Sequence, residues 1–221
     1  MSHACERLVH ADMPRTGTVY ASKVILRKGR LPRAVVRSQD AAALHLPAWW
    51  LRLHGWGESR SIFATVRDPY TWYPSWYAWC VRNAPEALAR IGRGSIAWAD
   101  VLEGALVPHD GWGEFPLLIG TSPADIGAEW TPDAAQGGIW SWATRYYTQN
   151  ARGGWEADVL IGGDLRESLA SLGLVDELPP KHVTRRDDLP KLTVSQRSRI
   201  AEIEGPLWAE VCELMHNRRA A

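Results

Sequence analysis

Short apolar runs alternate along this chain with stretches whose apolar residues recur every three or four positions, so strands and helices are predicted in turn. Arg7 to Met13 reads as a first strand, stopped by Pro14. From about Gly17 to Lys28, Val19, Ile25 and Leu26 fall on or near one face and Lys23, Arg27 and Lys28 point toward water, which predicts a helix that Gly29 ends. A second strand at Arg33 to Arg37 would complete strand, helix, strand, the parallel crossover unit of α/β folds. Ile62 to Val66, apolar but for Thr65, reads as a buried strand; Arg67 and Pro69 mark its end, and a helix is expected from about Tyr70 to Val81. Trp72, Trp76 and Trp79 are spaced four and three apart there, which assigns them to a core face.

Periodicity fades between Gly104 and Gly138, where seven Gly and four Pro predict a long loop or lid. Gly137-Gly138 then leads a helix reaching Tyr147, and Asp158 to Gly162 reads as a further strand. Asp164 to Gly173 reads as a helix with Asp164 as N-cap and Glu167 in the capping-box position, followed by a turn region to Pro180. The last helix, about Ser195 to Asn217, is expected to bend at Gly205-Pro206. The expected architecture is therefore α/β: one domain over residues 1–221 with a central parallel sheet flanked by helices.

Composition narrows the picture further. A chain of 221 residues, 46% hydrophobic, can bury about 70 to 75% of its unfolded surface in one domain. The 25 basic and 25 acidic residues cancel, which argues against a general nucleic-acid or membrane-surface binder. They are unevenly spread: residues 1–40 hold eight Lys or Arg and three acids, whereas residues 94–144 hold seven acids and no Lys or Arg. That distribution suits a multiply anionic cofactor at one end and something neutral or cationic at the other, and a chance placement of charges accounts for it as well. The three cysteines are far apart, so neither a disulfide framework nor a zinc site is indicated. With no signal-peptide pattern and no run near the ~20 apolar residues of a membrane span, a cytoplasmic location is expected.

Candidate chemistry begins at Pro14-Arg15-Thr16-Gly17-Thr18, between the first strand and the first helix. The first turn of a helix carries unpaired N–H groups and about half a positive charge, so an anion is stabilised there by the backbone. Gly17 permits close approach, Thr16 and Thr18 add hydroxyls, and Arg15 adds a permanent charge. No Walker A string occurs in the chain. The five residues resemble instead the P-[KR]-[ST]-G-[TG] loop of sulfotransferases that use 3′-phosphoadenylyl sulfate. Arg67-Asp68-Pro69, with Ser75 eight residues beyond Arg67, resembles the same family's R-[DN]-P segment. The resemblance implies a P-loop-NTPase-like fold in which Arg15, Thr16, Gly17 and Thr18 hold the 5′-phosphosulfate and Arg67 and Ser75 the 3′-phosphate.

His45-Leu46-Pro47 resembles the family's H-[LFM]-P segment, which implies that His45 is the catalytic base, with His54 its competitor. Imidazole suits the step, because an acceptor hydroxyl must lose a proton near neutral pH as it attacks sulfur. The resemblance also implies an adenine contact at Tyr20, where many relatives have Trp, and cofactor contacts at Arg185 and Arg186, where the family's R-K-G pattern is only partly kept. It implies no metal and leaves 3′,5′-adenosine bisphosphate as product. The 13 Trp residues would suit a small-molecule or carbohydrate acceptor, though core packing accounts for Trp as well. Two other readings stay open: a small-molecule or nucleoside kinase, and a module that binds a phosphorylated ligand without turnover. Oligomeric state is not legible.

Overall fold

The computed structural model describes residues 3–4, 7–16, 21, 24–25, 33–34, 45–109, 126, 130–174 and 189–217. In chain order the elements are β1 (His3–Ala4), β2 (Leu8–Ala11), β3 (Arg33–Ala34), α1 (Ala48–Leu53), β4 (Ser61–Thr65), α2 (Pro69–Asn83), α3 (Pro85–Ile91), α4 (Trp98–Ala105), α5 (Ile139–Thr148), β5 (Val159–Ile161), α6 (Leu165–Ser171) and α7 (Val194–Asn217). Contacts divide the chain into two compact units: residues 1–67, 144–183 and 213–221 form the first, and residues 68–143 and 184–212 the second.

The first unit is built on a sheet of order β3-β1-β2-β4-β5. Its centre is parallel, with His10 beside Phe63 and Ala11 beside Ala64 in β2 and β4, and Phe63 beside Val159 in β5. Ile62, Phe63, Ala64 and Val66 are buried because both faces of this central strand are covered, which is why its sequence is a run and not an alternation. The Phe63 face packs on Ala21, Val24 and Ile25, which with Ile161, Leu169 and Leu174 form one apolar cluster. Each Val, Ile, Leu or Phe side chain of this kind contributes about 1.5–3 kcal/mol when fully buried. α1 packs against β2 and β4.

The edge of this sheet departs from the sequence expectation. The Arg33 strand does not lie next to β2; it pairs antiparallel with β1, and β1 pairs antiparallel with β2. β1 is two residues long, too short to show any period, so the strand between the two was invisible to pattern reading. At the amino end of the central strands, Asp158 accepts from Ile62 N–H at 2.7 Å and from Arg52 at 2.9 Å, while Arg52 Nε also pairs with Glu156 at 2.8 Å. That clamp fixes the start of β4 relative to β5.

The second unit is helical among its described residues. Asp68 caps α2 by accepting from Thr71 N–H at 2.9 Å, and Pro69 occupies the first turn, where its missing N–H removes no helical bond. Trp72 and Trp76 are buried and stacked with centroids 5.6 Å apart, and Trp79 is half-buried. α7 runs from Val194 to Asn217 through Pro206 and buries Ile200, Glu204, Leu207 and Val211, a four-three-four spacing with an acid inside the stripe.

Glu204 is fully buried, and four donors surround its carboxyl group: the Tyr73 and Ser141 hydroxyls and the main-chain N–H groups of Gly138 and Ser141. It thus satisfies the amino end of α5 from another helix. Burial pushes the Glu204 carboxyl above its usual range; the four hydrogen bonds only partly offset this. Gly138 is required here, since a Cβ would lie 2.5 Å from Ala105 O and 2.6 Å from Glu204. The paired glycines before α5 therefore record a close approach. Of the predicted loop, Gly104 lies in α4 and residues 134–136 form a 3-10 turn, while residues 110–125 and 127–129 lie outside the described residues.

Candidate functional site

In parallel sheets, ligands bind beyond the carboxyl ends of the strands where successive connections diverge. β2 and β4 are such a pair: the chain leaves β2 for the β3 side of the sheet and returns to β4 on the other. Beyond β2 the chain turns at Pro14, Arg15 and Thr16; beyond β4 it reaches Arg67. Arg15 has φ 66°, a left-handed conformation that a non-glycine residue adopts at a cost of about 1–2 kcal/mol. Such outliers collect where a loop must aim its backbone or side chain at something.

Under that turn lies a buried polar chain. Thr16 Oγ1 donates to Met13 O at 2.7 Å, and its 2.6 Å bond to Thr65 Oγ1 must therefore be accepted from Thr65. With the Thr65 proton so committed, His10 Nε2 is the donor in the 3.3 Å bond to Thr65 Oγ1. His10 also stacks on Phe63 at 4.8 Å, so its ring is held on two sides. The Thr16 hydroxyl anchors the turn to β4. Any role of Thr16 toward an anion falls to its main-chain N–H.

His45 sits beside the same strand end. Leu46, buried, accepts from Asp12 N–H through its carbonyl at 3.3 Å, and Pro47 starts α1, so the segment is pinned on both sides of the histidine's successor. His45 Nδ1 lies 3.2 Å from Asp12 Oδ2 and 3.1 Å from Asp12 O. The Asp12 side chain is fully buried, whereas the His45 ring is 22% exposed. Burial by itself would push the Asp12 carboxyl up, but the charge and hydrogen bond of His45, with a smaller effect of the His10 charge, outweigh it and hold the group well below the usual carboxylate range.

His54, the competing base, is exposed at the end of α1, bonded to Trp50 O at 2.9 Å and stacked on the Trp50 ring. It has no buried acid to orient it among its hydrogen bonds. Arg15, Thr16, His45 and Arg67 all belong to the first unit; Ser75 belongs to the second, buried in the second turn of α2. Gly17, Thr18, Tyr20, Arg185 and Arg186 lie outside the described residues.

Two contributors escaped sequence reading. Asp12 stands at the head of the cradle stretch, and its pairing with His45 spans 33 positions. Thr65 looks like one more β-branched strand residue. An acid at the end of an otherwise apolar strand was the available signal for the first; none existed for the second. Comparison with known proteins gives no matching family model, no matching curated protein and no matching solved structure, so any functional reading stands on these residues alone.

Proposed function

We propose that this chain is a sulfotransferase that moves a sulfuryl group from 3′-phosphoadenylyl sulfate to a hydroxyl of a small-molecule or carbohydrate acceptor. The observation that carries the reading is the pairing of His45 with buried Asp12 beside the Arg15 turn, all at the carboxyl end of β2. The nucleotide would supply an activated sulfuryl group on a phosphate leaving group. His45 Nε2 takes the proton as the acceptor oxygen bonds to sulfur. Arg15 neutralises charge on the phosphate oxygens as the sulfur–oxygen bond breaks and its electron pair stays with the adenosine bisphosphate. Arg67, at the carboxyl end of β4, is assigned to the 3′-phosphate and hence to binding.

Thermal unfolding with 3′,5′-adenosine bisphosphate tests the donor, and labelled 3′-phosphoadenylyl sulfate with mixed acceptors tests the transfer. At a hundredfold excess over Kd the bisphosphate should stabilise by about 2.7 kcal/mol, and ATP with Mg²⁺ should not. Label should appear in an acceptor, with Arg15→Ala lowering kcat and Arg67→Ala raising the donor KM. Stabilisation by ATP and Mg²⁺ alone would turn the reading to a kinase. Binding without transfer to any acceptor would turn it to a binding module.

A further inference from the structure

We propose that Asp12 is a positioning residue that fixes the tautomer of His45, so that the neutral ring keeps its proton on Nδ1 and presents its lone pair at Nε2. This rests on the reading of His45 as a base. Nδ1 faces two oxygens, Asp12 Oδ2 at 3.2 Å and Asp12 O at 3.1 Å. A carbonyl oxygen only accepts, and an ionised carboxylate only accepts, so the shared proton must be on Nδ1. Asp12 cannot swing away, because its N–H is bound to Leu46 O at 3.3 Å and its side chain is wholly buried. The part of the ring that meets solvent belongs to His45 alone.

Charge gives a second argument from the same geometry. A buried carboxylate three residues before Arg15 opposes any polyanion held at that turn, because like charges in a poorly solvated site repel. Its presence there is accounted for if it serves a neighbouring cation. When Nε2 takes the acceptor's proton the ring becomes an imidazolium with both nitrogens protonated. Asp12 then faces Nδ1–H, stabilises the new charge, and does not take the proton itself.

Asp12→Asn separates this role from packing, since it keeps the shape and removes the charge. Its amide can aim an N–H at Nδ1, making that nitrogen an acceptor and moving the ring proton to Nε2. In ¹⁵N-histidine-labelled protein, at a pH where His45 is neutral, the wild type should report Nδ1–H; Asp12→Asn, which keeps the main-chain Asp12 O as an acceptor but offers an amide N–H in place of the carboxylate, should report a clearly larger fraction of Nε2–H. Turnover should fall about 10³- to 10⁴-fold; the thermal midpoint should fall too, because the charge pairing with His45 is lost, so the tautomer is the readout a merely structural role would not move. Adding Asp12→Asn to His45→Gln should cause no further loss. An Nε2–H ring in the wild type, an unchanged tautomer in Asp12→Asn, or losses that multiply in the double variant would each overturn the assignment. The wild-type measurement needs no variant to fold. If the tautomers behave as expected but no sulfuryl transfer is found, the pairing stands and the reaction assigned above is what fails.

Discussion

Asp12 and Glu204 are both carboxyl groups with no exposure to solvent, one in each unit, and their neighbours push them in opposite directions. Asp12 meets an imidazole, so charge is answered by charge and its carboxyl is held down. Among the described residues Glu204 meets hydroxyls and main-chain N–H groups, dipoles that do not repay the loss of water, and its carboxyl is raised. Burial alone therefore says nothing about what a buried acid is for. The partner's charge decides it: the first arrangement suits proton chemistry, the second holds two helices together.

The largest effect should come from removing the second group. Glu204→Ala leaves four donors facing a cavity, and denaturant melts should record a loss of about 3 kcal/mol or more. Glu204→Gln should be far milder. Tyr73 OH can turn to Ala105 O, 3.4 Å away, and accept from the new amide, so a neutral side chain can be housed where Glu204 was. At Asp12 a neutral amide can be housed only by changing the tautomer of His45, and the charge opposite the imidazolium is lost. An Asp12→Asn protein that kept full turnover beside a Glu204→Gln protein that unfolded would reverse the contrast.

Dependence on pH sharpens the same contrast with a smaller signal. A raised carboxyl contributes stability that is complete below its unfolded value, 4.5, and lost as pH rises through the folded value. Glu204→Gln should therefore gain on the wild type as pH rises above 4.5, by at most about 1.4 kcal/mol per pH unit until the folded value is passed. A lowered carboxyl does the opposite. Asp12 contributes in full above its unfolded value, 3.8, and loses that contribution only as pH falls further toward its folded value. Urea melts from pH 5 to 8 should accordingly give Glu204→Gln a slope different from that of the wild type.

What the sequence conveyed follows from how local each feature is. β4 and α2 were legible because a largely apolar run, then Asp-Pro, then a four-three Trp spacing all lie within 19 neighbouring residues. The Asp164 cap was legible for the same reason, and its carboxylate accepts from Arg166 and Glu167 N–H as the spacing implies. Glu204 was not, since its hydroxyl partners stand 63 and 131 positions away and its helix otherwise reads as a charged face. The glycine pair before α5 was the one trace of that contact. At the candidate site the histidine could be named from its Leu-Pro context, but not the acid that orients it. The edge of the sheet was hidden by two-residue strands.

The smallest expected effect concerns backbone and compares two arginines. Arg15 and Arg93 are the non-glycine residues at positive φ among the described residues, at 66° and 53°. Arg93 is exposed, in the turn that closes α3 between Gly92 and Gly94, a place where left-handed residues end helices without any ligand. Arg15 is half-buried at the end of a parallel strand, where no helix is being closed. Replacing either by glycine relieves the same strain, so Arg15→Gly and Arg93→Gly should each stabilise by about 0.5–1 kcal/mol in denaturant melts. Only Arg15→Gly should weaken binding of 3′,5′-adenosine bisphosphate, by about ten- to a hundredfold for one lost charge-assisted contact. Equal binding by both variants would leave the strain at Arg15 with no ligand to explain it, and the turn would then be a feature of the fold alone.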